Sequence, residues 1–521
     1  MTICLFFFKP EFVKQLSEIL RSGDGQDFVR QAAGLQLKNV LAAKDDEIKV
    51  LHLQRWLTLP EEDRAYIKKN VLESLGTETW RPSTAAQCVA SIACAELPTG
   101  QWTDSISCLM TNVTRADSTE NLKESSLEAL GYICQEISPV VLGAQSNEIL
   151  TAIVHGMKKQ EASNQVRLAA TKALANSLEF TRSNFENDNE RHVIMQVVCE
   201  ATQSQDIYVK VAALQCLVKI MSLYYEYMEH YMGAALFPIS VDAMRSQEPE
   251  VQLQGIEFWS NVCEEEIDLS VEAEEAEMEG RPPTHVSKHY AKGAMQHLIP
   301  IVTEALAKQE EGEDEDEWNP AKAAGVCLML MAQCVGDEVV QYTLPFITTN
   351  ISNQDWKYRD AAVMAFGSVL DGPDPEKLKP LVLQALPTLI TLMNDSQTVV
   401  RDTVAWCIGR VCDACQEVVV LPEILNPLLP ALSQGLQQEP RVAANVCWAI
   451  SSLAVAVYES ASEQTTSTDE TGQPETYVLS SCFDAMVTAL LAATDRPDAH
   501  SSNLRIAAYE ALMELIKNSP K

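Results

Sequence analysis

Five consecutive acids, Glu313-Asp314-Glu315-Asp316-Glu317, run into an indole at Trp318. Carboxylates this close repel one another, and a lysine or arginine from outside relieves the repulsion. Such a run either binds cations or is merely solvated. Two more tryptophans suit a cationic visitor. Trp406 falls about 200° from Val404 around a helix, off the Val400-Val404-Ile408-Val411 stripe. Trp448 stands likewise to Val446 and Ile450, and Arg441, Asn445 and Trp448 share one face at i, i+4, i+7. An indole beside a side-chain amide accepts the aliphatic stem of lysine or arginine through apolar contact and cation–π attraction. The competing reading packs each indole in a groove between helices.

The overall charge points the same way. There are 39 Lys and Arg against 73 Asp and Glu, a net −34. That field repels phosphate backbones and anionic lipid and steers basic partners inward, so no nucleic acid is expected as a direct ligand. Catalysis finds no support. The eight His show no metal-ligand spacing, and there is no phosphate-cradling glycine loop or nucleophile elbow, so no enzyme activity, cofactor or metal is expected. The 15 Cys are scattered beside Ala, Val and Leu, the usage of a small buried hydrophobe in a reducing compartment. Cys412 and Cys415 form one CxxC pair with no second pair at zinc-finger distance, which reads as structural. The apolar run Ile3–Phe8 is shorter than a signal-peptide core, and no apolar run approaches membrane-spanning length. The chain reads as soluble and intracellular, with no membrane insertion.

What must position these residues is a repeated helix. A Val or Leu followed by a small-residue pair recurs at Val29–Ala33, Leu122–Ser126, Val166–Ala170, Val209–Ala213, Lys322–Leu328, Arg359–Phe366, Arg441–Trp448 and Leu504–Ala508. Markers at 126, 170, 213 and 255, then 362, 404 and 444, return every 40–44 residues. That period belongs to HEAT or armadillo arrays. Another helical segment precedes most copies: Glu148–Met157, Arg191–Ala201, Tyr231–Met244, Leu378–Met393 and Leu425–Leu436. Each unit is therefore a hairpin of an A helix and a B helix. The fold expected is an all-α HEAT-repeat α-solenoid, a right-handed superhelix of helical hairpins.

On the A helices, Leu150, Thr151 and Val154 lie beside a stripe (Ile149, Ile153, Met157) that already serves the core. Glu190, Val193 and Ile194 begin the next A helix. Together they make either a wider core stripe or an apolar shoulder that holds a phenylalanine.

Several phrases carry a family resemblance: Ala33-Gly-Leu-Gln-Leu-Lys-Asn39, Leu75-Gly-Thr-Glu-Thr79, Ile256-Glu-Phe-Trp-Ser-Asn261, Asp316-Glu-Trp-Asn-Pro320, Tyr358-Arg-Asp-Ala-Ala-Val-Met-Ala365, Arg441–Trp448 and Thr494-Asp-Arg-Pro497. From about residue 11 to 521 the chain resembles the importin-β family, over its N-terminal half or slightly more. The resemblance implies a nuclear import receptor, found in cytoplasm, nucleus and at the pore of the nuclear envelope. Its inner B helices take basic cargo or the basic segment of the importin-α adaptor. Ran-GTP binds and releases cargo, and the outer A helices bind FG-repeat nucleoporins. Carried onto this chain, Glu313, Asp314, Glu315, Asp316 and Glu317 meet Ran and import signals. Trp318, Trp406 and Trp448, with Asn445, grip cargo or importin-α. Leu150, Thr151, Val154, Glu190, Val193 and Ile194 take FG repeats, in a pocket made shallower by Val193 where the family often has Phe. Lys38 and Lys44 are carried over as Ran contacts.

The layout expected is an atypical segment at 1–10, then importin-β N-terminal-type repeats at 11–80 with the family's first helix missing. HEAT repeats follow at 81–263, and an interval with acidic insertions and the acidic loop at 264–320. Repeats with tryptophan-bearing B helices occupy 321–458, a mobile polar loop 459–476, and a final HEAT hairpin with an open end 477–521. The reading from a different class is a HEAT scaffold of a phosphatase or coat complex. That scaffold has short uniform turns and no off-stripe tryptophans.

Overall fold

The computed structural model describes residues 10–23, 25–309, 317–464 and 476–520. The segment before Pro10, the acids Glu313, Asp314, Glu315 and Asp316, and residues 465–475 of the expected polar loop lie outside the described residues. Among the described residues every regular element is helical. The chain divides into two compact units, one up to Ala243 and one from Met244.

The small-residue pairs explain the stacking. In the first unit the B helices Asp27–Leu41, Thr84–Glu96, Glu120–Glu136, Asn164–Ser177 and Ile207–Tyr224 each pack on the next. In the second the row is Pro249–Met278, Pro320–Val335, Trp356–Ser368, Thr398–Ala414, Pro440–Gln464 and Leu504–Lys517. The pairs Ala169-Ala170, Ala212-Ala213, Ala323-Ala324 and Ala361-Ala362 are buried at these contacts, while Ala444 is half-buried. With only a methyl between backbones, neighbouring helices approach closely, and the Val or Leu ahead of each pair fills the space behind it.

The turn residues start the helices. Ser83, Thr119, Ser163, Asp206, Asn319 and Asp355 each accept a backbone N–H of the first turn of a B helix. Each such cap contributes about 1 kcal/mol. Arginines close the turns from the other side. Arg30 donates to the Leu20 carbonyl at 2.9 Å, Arg359 to Asn353 O at 2.8 Å, Arg401 to Asp395 O at 2.7 Å and Arg505 to Thr494 O at 3.1 Å. Arg359 also reaches both carboxylate oxygens of Asp395 in the next turn, each at 2.8 Å. Arg401 likewise reaches Glu439 at 2.8 Å. Such forked pairs fix geometry as well as adding energy.

Several stretches differ from the sequence reading. The acidic piece from Glu264 is not an insertion: it continues the B helix, which runs 30 residues from Pro249 to Met278. The A helix Tyr290–Leu306 follows, so a long helix and a connector account for the wide interval. Asp45 caps a further helix, Asp46–Leu57, through Ile48 N–H, which no repeat signal marked. The expected helix Tyr231–Met244 is broken by a π turn at Met232–Leu236. The helix Pro440–Gln464 reaches into the stretch read as a polar loop. It and the helical stretch Ile207–Tyr227 are long and apolar enough to cross a membrane by length and composition alone, contrary to expectation; half or more of each is buried against protein.

The phrase Leu75–Thr79 has a structural reason. Gly76 adopts φ +74°, and a Cβ there would stand 2.7 Å from Leu122 Cα and N. Only glycine fits both constraints. Two residues on, buried Glu78 accepts the N–H groups of Thr84 (3.1 Å) and Ala85 (3.0 Å) and both hydroxyls of Ser83 and Thr84. Glu78→Ala is expected to cost that helix start about 1–3 kcal/mol. The readout is faster amide exchange at Thr84 and Ala85, with exchange in Trp356–Ser368 unchanged.

Candidate functional site

The tryptophan face belongs to the second unit. In Thr398–Ala414 the stripe Val400, Val404, Ile408, Val411 is fully buried, and Trp406 points off it, half-buried. Its indole rests on the preceding B helix. A Cβ on Gly367 would meet Trp406 Cζ3 at 2.4 Å, and one on Gly409 would meet Cε3 and Cζ3 of Trp448 at 2.4 Å. Both sequence readings therefore meet here: each indole packs one face in an inter-helix groove and keeps part of its surface open. Asn445 donates to Asp402 Oδ1 at 2.7 Å, and Arg441 pairs with the same carboxylate. Asn445 is thus first a brace between two B helices. Trp318 lies elsewhere in the row. It is 50 % exposed, and its Nε1 donates to Glu257 Oε1 at 2.9 Å on the first B helix of this unit. Glu317 beside it is exposed, and its carbonyl accepts Lys322 Nζ at 2.6 Å.

Beneath this face Asp360 is buried between Gln309, Thr403 and Asp402. Burial pushes its carboxyl up to about 7. Asp402 adds to the rise, while hydrogen bonds from Thr403 and Gln309 and the charge of Arg441 oppose it. Asp360 Oδ1 has no hydrogen-bond partner among the described residues.

The second place is a groove of about 480 Å³ between the A helices Ser146–Met157 and Asp188–Ala201. All six residues singled out on the A helices, Leu150, Thr151, Val154, Glu190, Val193 and Ile194, line it. Leu150 and Ile194 are buried and form its floor, while Val193 is 47 % exposed on the rim. Asn147, Asn184 and Asn189 line it too and were not expected. Asn184 Nδ2 donates to Asn147 Oδ1 and Glu190 Oε2, each at 2.6 Å, which pins the two helices at one edge. Asn184 sits in the short Arg182–Glu186 helix, which carries no repeat signal to mark it. At the other edge burial, then Lys158 and Lys123, depress the His155 imidazole and favour its neutral form. An apolar floor with a fixed polar rim suits one aromatic side chain and its backbone.

Lys38 and Lys44 differ in setting. Lys38 is half-buried and lines a cavity of about 360 Å³ with Lys49, Tyr132 and Glu136, whereas Lys44 is exposed and does not line it. Lys49 there pairs with Glu136 at 2.6 Å. Cys412 and Cys415 are buried, and burial raises both thiols, Cys415 to about 11. Among the described residues no His, Cys, Asp and Glu group is arranged to hold a metal.

Stacked B helices at a period near 42 residues define a HEAT-repeat solenoid protein. Matching family models are the Importin-beta N-terminal domain over residues 7–77, a HEAT-like repeat over 356–411, and "Importin subunit beta-1-like, TPR repeats" over 427–521. The last covers hairpins read above as HEAT. Importin subunit beta-1 of Schizosaccharomyces pombe is 43% identical over 97% of this chain and 57% of its own length. That of Saccharomyces cerevisiae is 40% identical over 94% and 55%. The solved structure of yeast importin-beta (Kap95p) superposes with a TM-score of 0.88 at 38% identity, over 98% of this chain and 58% of that one. The chain belongs to the importin-β family. It spans a little over half the length of the relatives it matches.

Asp360 gives a test of the buried carboxylate. An exposed Asp titrates near 3.9. Between there and about 7 the folded unit holds a proton that the unfolded chain has released. Stability therefore falls as pH rises through that window. Asp360→Asn is expected to flatten the slope and raise the denaturation midpoint of the second unit at pH 7.5 relative to the parent chain. An equal change of midpoint between pH 5 and 7.5 in chemical melts of the parent chain and of Asp360→Asn would refute the assignment.

Proposed function

We propose that this chain acts as a nuclear import receptor that works by binding alone, with no catalytic step and no cofactor. Basic import signals, or the basic segment of the importin-α adaptor, are held by Trp318 together with the B-helix face that carries Trp406 and Trp448. Glu313, Asp314, Glu315, Asp316 and Glu317 attract the lysines and arginines. FG-repeat nucleoporins seat a phenylalanine in the groove of Leu150, Thr151, Val154, Glu190, Val193 and Ile194. Ran-GTP competes for the acidic run and for the surface near Lys38 and Lys44, and so releases cargo. The receptor moves between cytoplasm and nucleus through the pore.

The observation that carries this reading is the groove, where six residues from two helices surround one aromatic-sized space. Relatives add support. Kap95 in complex with Nup1 matches with a TM-score of 0.85 at 38% identity. Kap95p bound to RanGDP, whose switch loops it drives to the GTP-bound conformation, matches at 0.84 and 37%. The net charge of −34 favours fast capture of basic segments.

Two substitutions test the groove. Val193→Asp sets a charge on the exposed rim and is expected to weaken an FG-repeat peptide about tenfold, the loss of one well-buried apolar contact. Val193→Phe is expected to tighten it. Titration of a fluorescent FG peptide gives both numbers, and two unchanged affinities would remove the groove from the proposal. In a separate pull-down, Ran locked in its GTP form is expected to displace a lysine-rich peptide from the parent chain. Failure to bind Ran-GTP would favour a scaffold role.

A further inference from the structure

The indole packing repeats one step further than the tryptophans do. Trp406 sits on Gly367 and Trp448 on Gly409. Forty-two residues before them stand Met364 and Gly325, and the thioether of Met364 lies over Gly325, with Sδ 3.7 Å and Cγ 3.8 Å from where a Cβ would be. Met364 is half-buried, as both indoles are. The three side chains therefore occupy one register position on three successive, directly packed B helices, Trp356–Ser368, Thr398–Ala414 and Pro440–Gln464.

Acids accompany the ladder. Asp413 follows Trp406 by seven residues within Thr398–Ala414, an interval that keeps a side chain on the same helix face, while Asp371 follows Met364 by seven in the turn just past the end of Trp356–Ser368. The Asp371 side chain is 51% exposed; it accepts from Gln333 Nε2 at 2.8 Å and stands 3.3 Å from Arg410. Asp413 is exposed and bonded to Ser452. An apolar rung with a carboxylate seven residues further along the chain is complementary to a side chain with an aliphatic stem and a cationic tip.

We propose that Met364 is a third rung of this ladder, so that the row grips three stems of a basic segment at once, with Asp371 and Asp413 meeting the cationic tips. This rests on the reading that the tryptophan face binds basic segments. Packed helices lie about 8–10 Å apart, and the rungs share that spacing. In a helical ligand, side chains seven residues apart share a face and are separated by about 10.5 Å. In a polyproline-type ligand, three residues span about 9.3 Å. The ladder thus selects a lysine period of seven in a helix or three in an extended segment. Methionine suits the end rung because its unbranched thioether adapts to a stem without imposing the flat shape of an indole.

The test uses the full 521-residue chain and alanine-based peptides with lysines at positions i, i+7 and i+14. A second peptide lacks one terminal lysine, and a third has the same composition with the spacing permuted. Against the three-lysine peptide, Met364→Ala is expected to raise Kd about threefold and Met364→Trp to lower it by a similar factor. Gly409→Ala should displace the Trp448 indole and weaken binding more than Gly325→Ala, whose added methyl meets only ordinary contacts. Removal of the lysine that faces Met364 should abolish the effect of Met364→Ala, a coupling that mere destabilisation of the helix would not produce. If Trp448→Ala weakens binding while Met364→Ala changes nothing with any peptide, the ladder ends at Trp406 and the third rung is wrong. If Trp448→Ala also changes nothing, the basic-segment reading of the whole face falls with it.

Discussion

Everything in this molecule depends on how closely one B helix lies on the next. The contact is made by residues with one carbon of side chain or none, and it recurs at Ala169-Ala170, Ala212-Ala213, Ala323-Ala324 and Ala361-Ala362. Because the backbones nearly touch, any large side chain at the edge of the contact has only one way to go. It must lie across the neighbouring helix. That is what Trp406 and Trp448 do, and the glycines beneath them are the space they need. The same constraint that builds the core therefore creates half-open aromatic surface, with no loop or insertion to present it.

The two faces of the hairpins serve different chemistry. The B face sets flat or flexible apolar groups beside carboxylates, an arrangement for long cationic side chains. The A face sets a buried Leu150 and Ile194 beneath a rim held by Asn184 and Glu190, an arrangement for a single aromatic ring. Asp360, whose carboxyl burial pushes up to about 7, is buried under the B face and braces helices. In the binding proposed above, specificity comes from spacing along the row of hairpins.

Much of this was legible in the chain itself. The alanine pairs gave the period, and the turn residues Ser83, Thr119, Asp206 and Asn319 cap the helices that the period implied. The off-stripe position of Trp406 followed from helical geometry alone. What stayed hidden was whatever joins different helices. The seats at Gly367 and Gly409 lie 39 residues before the indoles they hold, and no local pattern links them. Asn184 was invisible because its partners come from two other helices. The acids after Glu264 were misplaced because charge density reads as a loop, while the helix Pro249–Met278 extends past its buried part with one side in solvent.

The arginine pins at the turns have a mechanical meaning. Arg359 and Arg401 each clamp the carbonyls of their own turn and hold an acid of the following one. A guanidinium keeps its charge at any pH a cell provides, and it holds the Asp395 and Glu439 carboxyls below their usual range, so these clamps persist until acid protonates those carboxylates. Each hairpin then behaves as a stiff plate, and the alanine seams, where non-directional contact predominates over bonds such as Asn445 to Asp402, are the surfaces along which plates slide. A load on such a stack is shared as many small shears, which lets it yield elastically without melting any single helix.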